Sequence, residues 1–320
     1  MVSMVRDVIV VGSGVIGLTC AVTLAEGGFG VSVWSRDPAA ETTSAVAGGL
    51  WWPYRIEPAE AAGRWSVASL AELTALAADP GETGVRFADG THAGLGRAGL
   101  GAWADEVPGL RPAAPAELPA GYATGLRARV PLIDMPTHLR YLERRLVAAG
   151  GTVERRALAS LAEAGRRAPV VVNCSGLGAR ELVPDPEVHP VQGQVVVVEN
   201  PGLAEWLVAA DPVAAETLYV LPQPYGVVLG GTARPHAWEL RPDPATAEAI
   251  VARCTRVRPE LAGARVVDHR VGLRPARPRV RLAVEELPGG ARCVHNYGHG
   301  GAGVTVAWGC AREAAALATA

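Results

Sequence analysis

The chain has 320 residues, a formal net charge of -2 and 49% hydrophobic residues. This composition predicts a globular protein large enough for two sub-domains, and it excludes the basic field that binding to nucleic acid or anionic lipid requires. All 30 basic residues are arginines, so a pyridoxal phosphate aldimine and a P-loop, which both need a lysine, are excluded as well.

The first 37 residues predict a βαβ unit. Asp7 to Val11 is a continuous β-branched run, typical of a parallel strand buried on both faces. A glycine turn leads into a helix over Val15 to Glu26, and "VSVWSRD" (Val31 to Asp37) predicts the second strand. The uncharged run at 8–25 could also be a signal peptide or a membrane span, but its three glycines and its β-branched start favour a strand, a turn and a helix.

The rest of the chain alternates between two patterns. "PVVVNCSGLGAR" (Pro169 to Arg180) predicts another buried strand, whereas "QGQVVVVEN", "TLYVLPQ" and "GVVLGGT" predict antiparallel strands. Thr137 is expected to cap a helix. Helices are predicted at Arg64 to Ala78, Thr137 to Ala149, Thr246 to Arg256 and Gly303 to Ala318. The nucleotide-binding pattern therefore comes in three separated pieces, with a β-rich layer between them.

A G-x-G-x-x-G motif joins the first strand to the first helix. Gly12 permits the tight turn, Gly14 lets a pyrophosphate approach the amides, and Gly17 lets the helix pack closely on the strand. The helix N-terminus favours the phosphate charge. The dinucleotide itself stays open, since Asp37 suits a ribose hydroxyl and Arg36 suits the 2′-phosphate of NADP.

The segment "GLRPARPRVRL" carries four arginines in eleven residues. Strand alternation places Arg277, Arg279 and Arg281 on one face, which we expect to be solvated. Arg274 precedes Pro275 between apolar residues, and a buried guanidinium needs an anionic partner. That partner is either an internal carboxylate or a bound one.

The cysteines are odd in number, scattered and without C-x-x-C spacing, which argues against a disulfide framework or a zinc site. The same pattern favours a reducing compartment, and we expect a bacterial cytoplasm and no metal site. The five positions are Cys20, Cys174, Cys254, Cys293 and Cys310.

Seven stretches, in this order, resemble the D-amino-acid oxidase family of FAD enzymes: "VVGSGVIGLTCA", "TTSAVAGGLWWP", "VNCSGLGA", "QGQVV", "YVLP", "VGLRPARPRVRL" and "VHNYGHGGAGVTVAWGCA". The last is close to the family signature. The resemblance implies an α/β (α+β) fold with a discontinuous Rossmann-like FAD-binding domain at 1–60, 135–188 and 285–320. An interleaved antiparallel β-sheet domain at 61–134 and 189–284 would bind the substrate.

The resemblance also implies the reaction. A D-amino acid is deaminated oxidatively to a 2-oxo acid, ammonia and hydrogen peroxide, by hydride transfer to the flavin and with dioxygen as the final acceptor. Arg274 and Tyr219 match the residues that bind the α-carboxylate, and the carbonyl of Gly301 matches the one that faces the substrate amine. The expected partners are thus two small molecules, with no nucleic acid and no membrane, and a homodimer is left open.

The flavin contacts implied by the resemblance fall in the glycine turn, after the second strand, in the "TTSAVAGGLWW" loop and at the C-terminal glycine loop. The implied contacts are Gly12, Ser13, Gly14, Val15, Ile16, Arg36, Asp37, Thr43, Ser44, Gly49, Leu50, Trp51, Leu158, Ser175, Arg274, Gly300, Gly301, Gly303, Val304 and Thr305. An Arg-Asp pair at 36–37 is compatible with FAD in this family.

Two departures from the family concern the side-chain pocket. Ala215 stands where vertebrate members carry a second tyrosine on a lid, and the lid stretch from Asp211 to Leu218 is about two residues shorter. Trp52 replaces a polar residue beside the flavin loop. These changes predict a preference for neutral or apolar side chains.

Three alternatives remain. A D-aspartate oxidase would need an extra cation, for which Arg55, Arg234 and His236 are candidates. A glycine or sarcosine oxidase would share the fold with little stereochemical demand. A non-oxidase dinucleotide-binding reductase would use the Arg36 position for NADP.

Overall fold

The computed structural model describes residues 7–210 and 217–320. The described strands are β1 (Asp7–Val11), β2 (Gly30–Ser35), β3 (Val85–Ala93), β4 (Arg111–Pro112), β5 (Gly125–Ile133), β6 (Thr152–Arg155), β7 (Val170–Asn173), β8 (His189–Val198), β9 (Trp206–Ala210), β10 (Thr217–Gln223), β11 (Gly226–Gly230), β12 (Arg234–Pro235), β13 (Val266–Glu286) and β14 (Arg292–His299). The helices are α1 (Val15–Glu26), α2 (Ala59–Leu76), α3 (Pro80–Thr83), α4 (Met135–Ala148), α5 (Leu161–Gly165), α6 (Ala179–Leu182), α7 (Pro244–Val257) and α8 (Gly303–Thr319).

One mixed sheet contains these strands in the order β4-β5-β3-β9-β10-β11-β8-β13-β14-β7-β1-β2-β6, with β12 added to β8. The run β14-β7-β1-β2-β6 is parallel, as the βαβ prediction requires. Its central strand, β1, is buried on both faces from Val8 to Val11. Helix α1 packs against α8 and α4 over this part of the sheet.

Strand β13 joins the two halves of the sheet because it is long enough to pair twice. Its first half pairs antiparallel with β8, from Val266 to Ala276, and its second half pairs with β14. In this register Gly272 lies opposite Gly193. The sheet therefore continues without interruption from the parallel to the antiparallel strands, and the domain boundaries stated above stay a prediction.

The fourth helix starts earlier than the sequence pattern predicts. It begins at Met135 rather than Thr137, and Asp134 caps it by accepting a hydrogen bond from the amide of Thr137 at 3.2 Å. The hydroxyl of Thr137 also donates to Asp134, at 2.8 Å. The predicted cap, Thr137, was wrong for two reasons. Pro136 suits the first helical turn, so the helix begins before Thr137. Asp134, directly before that turn, is also a better N-cap residue than threonine.

The arginine face of β13 is also less solvated than expected. Arg277 forms ion pairs with Asp185 and Glu187, and its side chain is 18% exposed. Arg281 pairs with Glu285 and donates to the hydroxyl of Tyr297 at 2.9 Å. Of the predicted trio only Arg279 is exposed, because acidic residues of the 185–187 segment and of β13 itself cover the others.

No helix in the described part of the chain combines the length and the hydropathy that crossing a bilayer requires.

Candidate active site

Arg274 lies on β13 with its guanidinium over the neighbouring strand β8. A Cβ atom on Gly193 would come within 2.3 Å of the Nη1 atom of Arg274, so only a glycine leaves room for the guanidinium there. Nη1 donates a hydrogen bond to the carbonyl of Thr232 at 3.0 Å. On the other side, a Cβ on Gly301 would lie 3.6 Å from Cδ of Arg274. The arginine is thus held between β8 and the C-terminal glycine loop.

Arg270, Arg277 and Arg281 of the same strand are paired with carboxylates, whereas Arg274 has no such partner among the described residues. Arg270 pairs with Asp268, and Arg277 with Asp185. Within residues 7–210 and 217–320, no aspartate or glutamate forms an ion pair with Arg274. The internal partner that the sequence left open is therefore missing from the described residues, and the guanidinium is placed to receive an external anion.

Tyr219 lies on β10 and its ring covers two glycines. It pairs with Gly230 across the antiparallel ladder to β11, and a Cβ there would lie 1.8 Å from Cζ of the ring. A Cβ on Gly231 would lie 3.0 Å from the hydroxyl oxygen. Burial raises the pKa of Tyr219, while the charge of Arg274 and its hydrogen-bonding contact with the hydroxyl act in the opposite direction. The hydroxyl therefore stays protonated and can donate.

The C-terminal glycine loop needs backbone conformations that other residues rarely adopt. Gly298 and Gly300 have φ angles of +90° and +55°, in the left-handed region that favours glycine. The amide of Gly300 donates to the carbonyl of Pro275 at 2.9 Å, which fixes the loop beside Arg274. The chain then enters α8, whose first residues include Val304, so the loop places Gly301 between the arginine and the start of this helix.

The 43–52 segment ties three elements together. Thr43 donates to the carbonyl of Leu273 on β13 at 2.9 Å, and the hydroxyl of Ser44 accepts from the amide of Val15 at 2.9 Å. Gly49 has a φ of +81°, and a Cβ there would come within 2.0 Å of a backbone carbonyl. Leu50 forms an isolated bridge with a residue of β5. The segment therefore links β13, α1 and the antiparallel strands at one place.

The end of the same segment is anchored to α8. The amide of Trp52 donates to the hydroxyl of Thr305 at 3.3 Å, and that hydroxyl donates to the carbonyl of Trp52 at 3.2 Å. Trp51 is fully buried, and its indole donates to the carbonyl of Ser66 at 3.2 Å. The loop thus brings its backbone to the start of α8 while its two indole rings are buried.

The G-x-G-x-x-G turn has the contacts that its spacing predicts. A Cβ on Gly17 would lie 1.9 Å from the carbonyl of Gly12, and a Cβ on Gly14 would lie 3.1 Å from the Ser44 hydroxyl. Ser13 donates to the carbonyl of Asp37 at 2.9 Å, so its side chain is engaged inside the protein. Arg36 pairs with Asp37 at 2.8 Å on the surface.

The N-termini of α1 and α8 lie close together. A Cβ on Gly303, at the start of α8, would lie 3.9 Å from Cδ1 of Ile16, in the first turn of α1. Neither helix receives a hydrogen bond from the side chain of its own N-cap residue. The amide of Val15 is already bonded to Ser44, but amides at helix N-termini that keep no internal partner bind anions and polar ligand atoms.

Two buried polar atoms near these helix N-termini have no hydrogen-bond partner in the described part of the chain: Oγ of Ser175 and Nε2 of His299. Leaving such groups unpaired costs on the order of 1–3 kcal/mol each, so they fit polar atoms of a bound group. Leu158 is half-buried and packs with the core of Ile9 and Trp34. The residues present therefore fit a dinucleotide cofactor.

Similarity to known proteins distinguishes between the enzyme families that the site leaves open. A family model described as FAD dependent oxidoreductase matches residues 7–317. A D-amino-acid oxidase of Streptomyces coelicolor is 63% identical over 98% of this chain and 97% of its own length. A D-amino-acid oxidase of Rubrobacter xylanophilus is 52% identical over 98% of this chain and 96% of its own length.

This chain belongs to the D-amino-acid oxidase family. FAD is therefore its cofactor, and the NADP-dependent reductase suggested by Arg36 is excluded. Glycine oxidase from Geobacillus kaustophilus has a similar structure, with a TM-score of 0.81 and 19% identity over 98% of this chain and 95% of that one. At that identity the likeness supports the fold alone.

The D-amino-acid oxidase motifs did not reveal every residue that contributes to the site. The sequence showed Gly193 only as part of "QGQVV" and Gly230 only as part of a strand pattern. Which side chain from the next strand each glycine accommodates depends on strand register, which the sequence does not reveal. Tyr54 was not singled out, but its hydroxyl is buried and has no partner among the residues that the structure describes. Ala215 lies at 211–216, outside the described residues.

Two of the three cations proposed for a D-aspartate oxidase lie on an exposed segment. Arg234 donates to the hydroxyl of Thr246 at 2.9 Å, and His236 stacks on His189 with ring centroids 4.5 Å apart. Arg55 is different, because its guanidinium lies 5.1 Å from the ring centroid of Tyr54. Among the described residues, no group of three or more His, Cys, Asp or Glu is arranged to hold a metal ion.

Proposed function

We propose that the protein oxidises D-amino acids with neutral or apolar side chains to 2-oxo acids, ammonia and hydrogen peroxide. The observation that carries this proposal is the environment of Arg274. The guanidinium lies against Gly193 and Gly301 and beside the hydroxyl of Tyr219, with no internal carboxylate among the described residues. An α-amino acid brings the missing carboxylate, and a bidentate pair with the guanidinium fixes its orientation.

Three groups of the chain would orient the substrate. Arg274 and the hydroxyl of Tyr219 donate to the two carboxylate oxygens. The carbonyl of Gly301 accepts a hydrogen bond from an amine N–H. The substrate side chain points in a third direction. Only one enantiomer then directs its α-hydrogen towards the flavin, so this three-point placement gives stereoselectivity.

When bound, FAD supplies the acceptor for the hydride that leaves the α-carbon. We assign its pyrophosphate to the turn from Gly12 to Ile16 and its ring to the amides of Gly303 to Thr305. The 43–51 loop and Ser175 complete the cofactor site. The imino acid product hydrolyses in water to the 2-oxo acid and ammonia.

The preference for neutral side chains is supported by the groups that surround Tyr219. A Cβ on Gly48 would lie 2.6 Å from Cδ1 of Leu221 and 3.7 Å from the ring of Tyr219, so this wall is apolar. The ring of Trp52 lies 5.2 Å from that of His92, within a cluster of aromatic side chains. Burial lowers the pKa of His92 to about 4, so this ring stays neutral and offers no positive charge to an acidic substrate.

A peroxide assay over a panel of D- and L-amino acids tests the proposal. D-alanine, D-valine and D-methionine should be oxidised, their L-enantiomers should not, and D-aspartate should have a kcat/KM at least tenfold lower. Faster oxidation of D-aspartate would transfer the assignment to the alternative in which Arg55 binds a second carboxylate. Turnover of sarcosine with no enantiomer preference would contradict both.

A cytoplasmic location and a homodimer are further proposals. All five cysteines are free and buried, as suits a reducing compartment. Fractionation of the native host and light scattering of the purified FAD-loaded protein test these two points separately.

A further inference from the structure

Tyr54 has a buried hydroxyl that none of the described residues uses. Its oxygen is shielded from solvent and has no hydrogen-bond partner within residues 7–210 and 217–320. The contrast with Tyr297 is informative, since that buried hydroxyl donates to Asp185 at 2.7 Å and accepts from Arg281 at 2.9 Å. An unpaired buried hydroxyl is costly, so a partner supplied by a ligand is the physical expectation.

Arg274, Tyr219 and Gly301 form the proposed substrate clamp, and Tyr54 follows a loop that is anchored close to it. Trp52, two positions earlier, is bonded in both directions to Thr305 at the first turn of α8. That turn follows directly on the loop that carries Gly301, which lies against Arg274. Tyr54 therefore leaves the anchored loop at the edge of the site assigned to the substrate.

Charge identifies the kind of ligand. The positive charges of Arg55 and, more weakly, of Arg274 act on the hydroxyl of Tyr54, and Arg274 also acts on that of Tyr219. Burial is the largest effect at both tyrosines and raises the pKa of each hydroxyl, so both remain protonated donors. Two donors near one guanidinium suit an anion with several lone pairs, and a carboxylate offers about four acceptor positions.

We propose that the hydroxyl of Tyr54 donates a hydrogen bond to the carboxylate of the bound substrate, beside those from Arg274 and Tyr219. Tyr54 is thus a substrate-binding residue of this chain. The inference rests on the proposed function, since it deepens the same site.

The test compares Tyr54→Phe with Tyr225→Phe in the FAD-loaded protein. Tyr225 also has a buried hydroxyl without a partner, but its ring faces Arg270, at 4.7 Å, rather than Arg274. The probe is benzoate, which has a carboxylate and no amine, and its Kd is read from the change in the visible absorption of the bound flavin. FAD retention and thermal unfolding report whether each variant is intact.

We expect Tyr54→Phe to raise the Kd of benzoate roughly tenfold or more, the factor for one hydrogen bond to a charged acceptor. The KM for D-alanine should rise by a similar factor with a smaller change in kcat, and Tyr225→Phe should leave all three values unchanged. A benzoate Kd that Tyr54→Phe does not alter overturns the proposal, even if the KM for D-alanine rises, because the hydroxyl would then serve the amine or the side chain.

A second measurement needs no variant. In a crystal structure of the unmodified protein with benzoate, the Tyr54 oxygen should lie within about 3.2 Å of a carboxylate oxygen, and a separation beyond hydrogen-bond reach overturns the proposal. Failure of the proposed function is distinguishable, since it would appear as the absence of peroxide from D-alanine in the unmodified protein.

Discussion

The guanidinium of Arg274 packs against Gly193, which has no side chain. The two residues are diagonal neighbours across the β8–β13 ladder. A single methyl group on Gly193 would come within 2.3 Å of one terminal nitrogen and 2.4 Å of the other. The glycine in "QGQVV" therefore serves the arginine on the next strand rather than a turn of its own. Strand pairing, not sequence proximity, makes these two residues one unit.

Gly193→Ala should displace the guanidinium without unfolding the sheet, because the clashing atoms are the far end of a flexible side chain. We expect kcat/KM for D-alanine to fall at least tenfold while FAD stays bound, since on the order of 1.5–3 kcal/mol of charge-assisted hydrogen bonding is lost or misaligned. Gly96→Ala is the matched control, as a Cβ there meets nothing within 4 Å. Normal activity in Gly193→Ala would show that the clamp tolerates another position of Arg274.

Arg274→Leu removes the charge itself. We expect kcat/KM for D-alanine to fall more than a hundredfold, corresponding to about 3 kcal/mol or more. Arg279→Leu, an exposed arginine of the same strand, should stay within twofold of the unmodified protein. Steady-state kinetics on both variants decide the matter, and equal effects at the two positions would mean that general charge rather than a specific pair attracts the substrate.

The sequence pointed to the residues of the proposed clamp but not to the glycines that support them. Arg274 could be singled out because a guanidinium before a proline and between apolar residues needs an anion. The roles of Gly193 and Gly230 could not be predicted, because a glycine that accommodates a side chain from the next strand has no local signature. Tyr54 was missed for a related reason, since burial of a loop hydroxyl depends on where the loop is anchored. The helix start at Met135 was misplaced by two residues, where boundary signals are weakest.

Gly17→Ala should abolish FAD binding. A Cβ at this position would lie 1.9 Å from the carbonyl of Gly12, and both groups belong to packed backbone that cannot move aside cheaply. The strand-to-helix turn would have to open, which misplaces the amides that face the pyrophosphate. We expect the purified variant to retain less than a tenth of the flavin of the unmodified protein, measured by absorption after gel filtration. Full retention would mean that α1 can shift without losing the phosphate site.

His138 should make the stability of the protein fall in mild acid. It is 2% exposed, and its Nδ1 lies 2.8 Å from the carbonyl of Thr83, so this nitrogen donates. Burial lowers the pKa of His138 from 6.5 to about 4, and the charge of Arg145 adds to this effect. The folded state therefore holds the neutral ring, while the unfolded chain takes up a proton below pH 6.5.

The resulting stabilisation is fully present above pH 6.5 and is lost as the pH falls towards 4. Its size is roughly 3 kcal/mol at about 1.4 kcal/mol per pKa unit. In His138→Gln the side-chain amide can still donate to Thr83 but cannot titrate. Urea unfolding of the FAD-loaded proteins at pH 7, 6, 5 and 4 should show a smaller loss of unfolding free energy in the variant. Parallel curves would mean that the ring is already protonated in the folded protein or that it does not titrate during unfolding in this range.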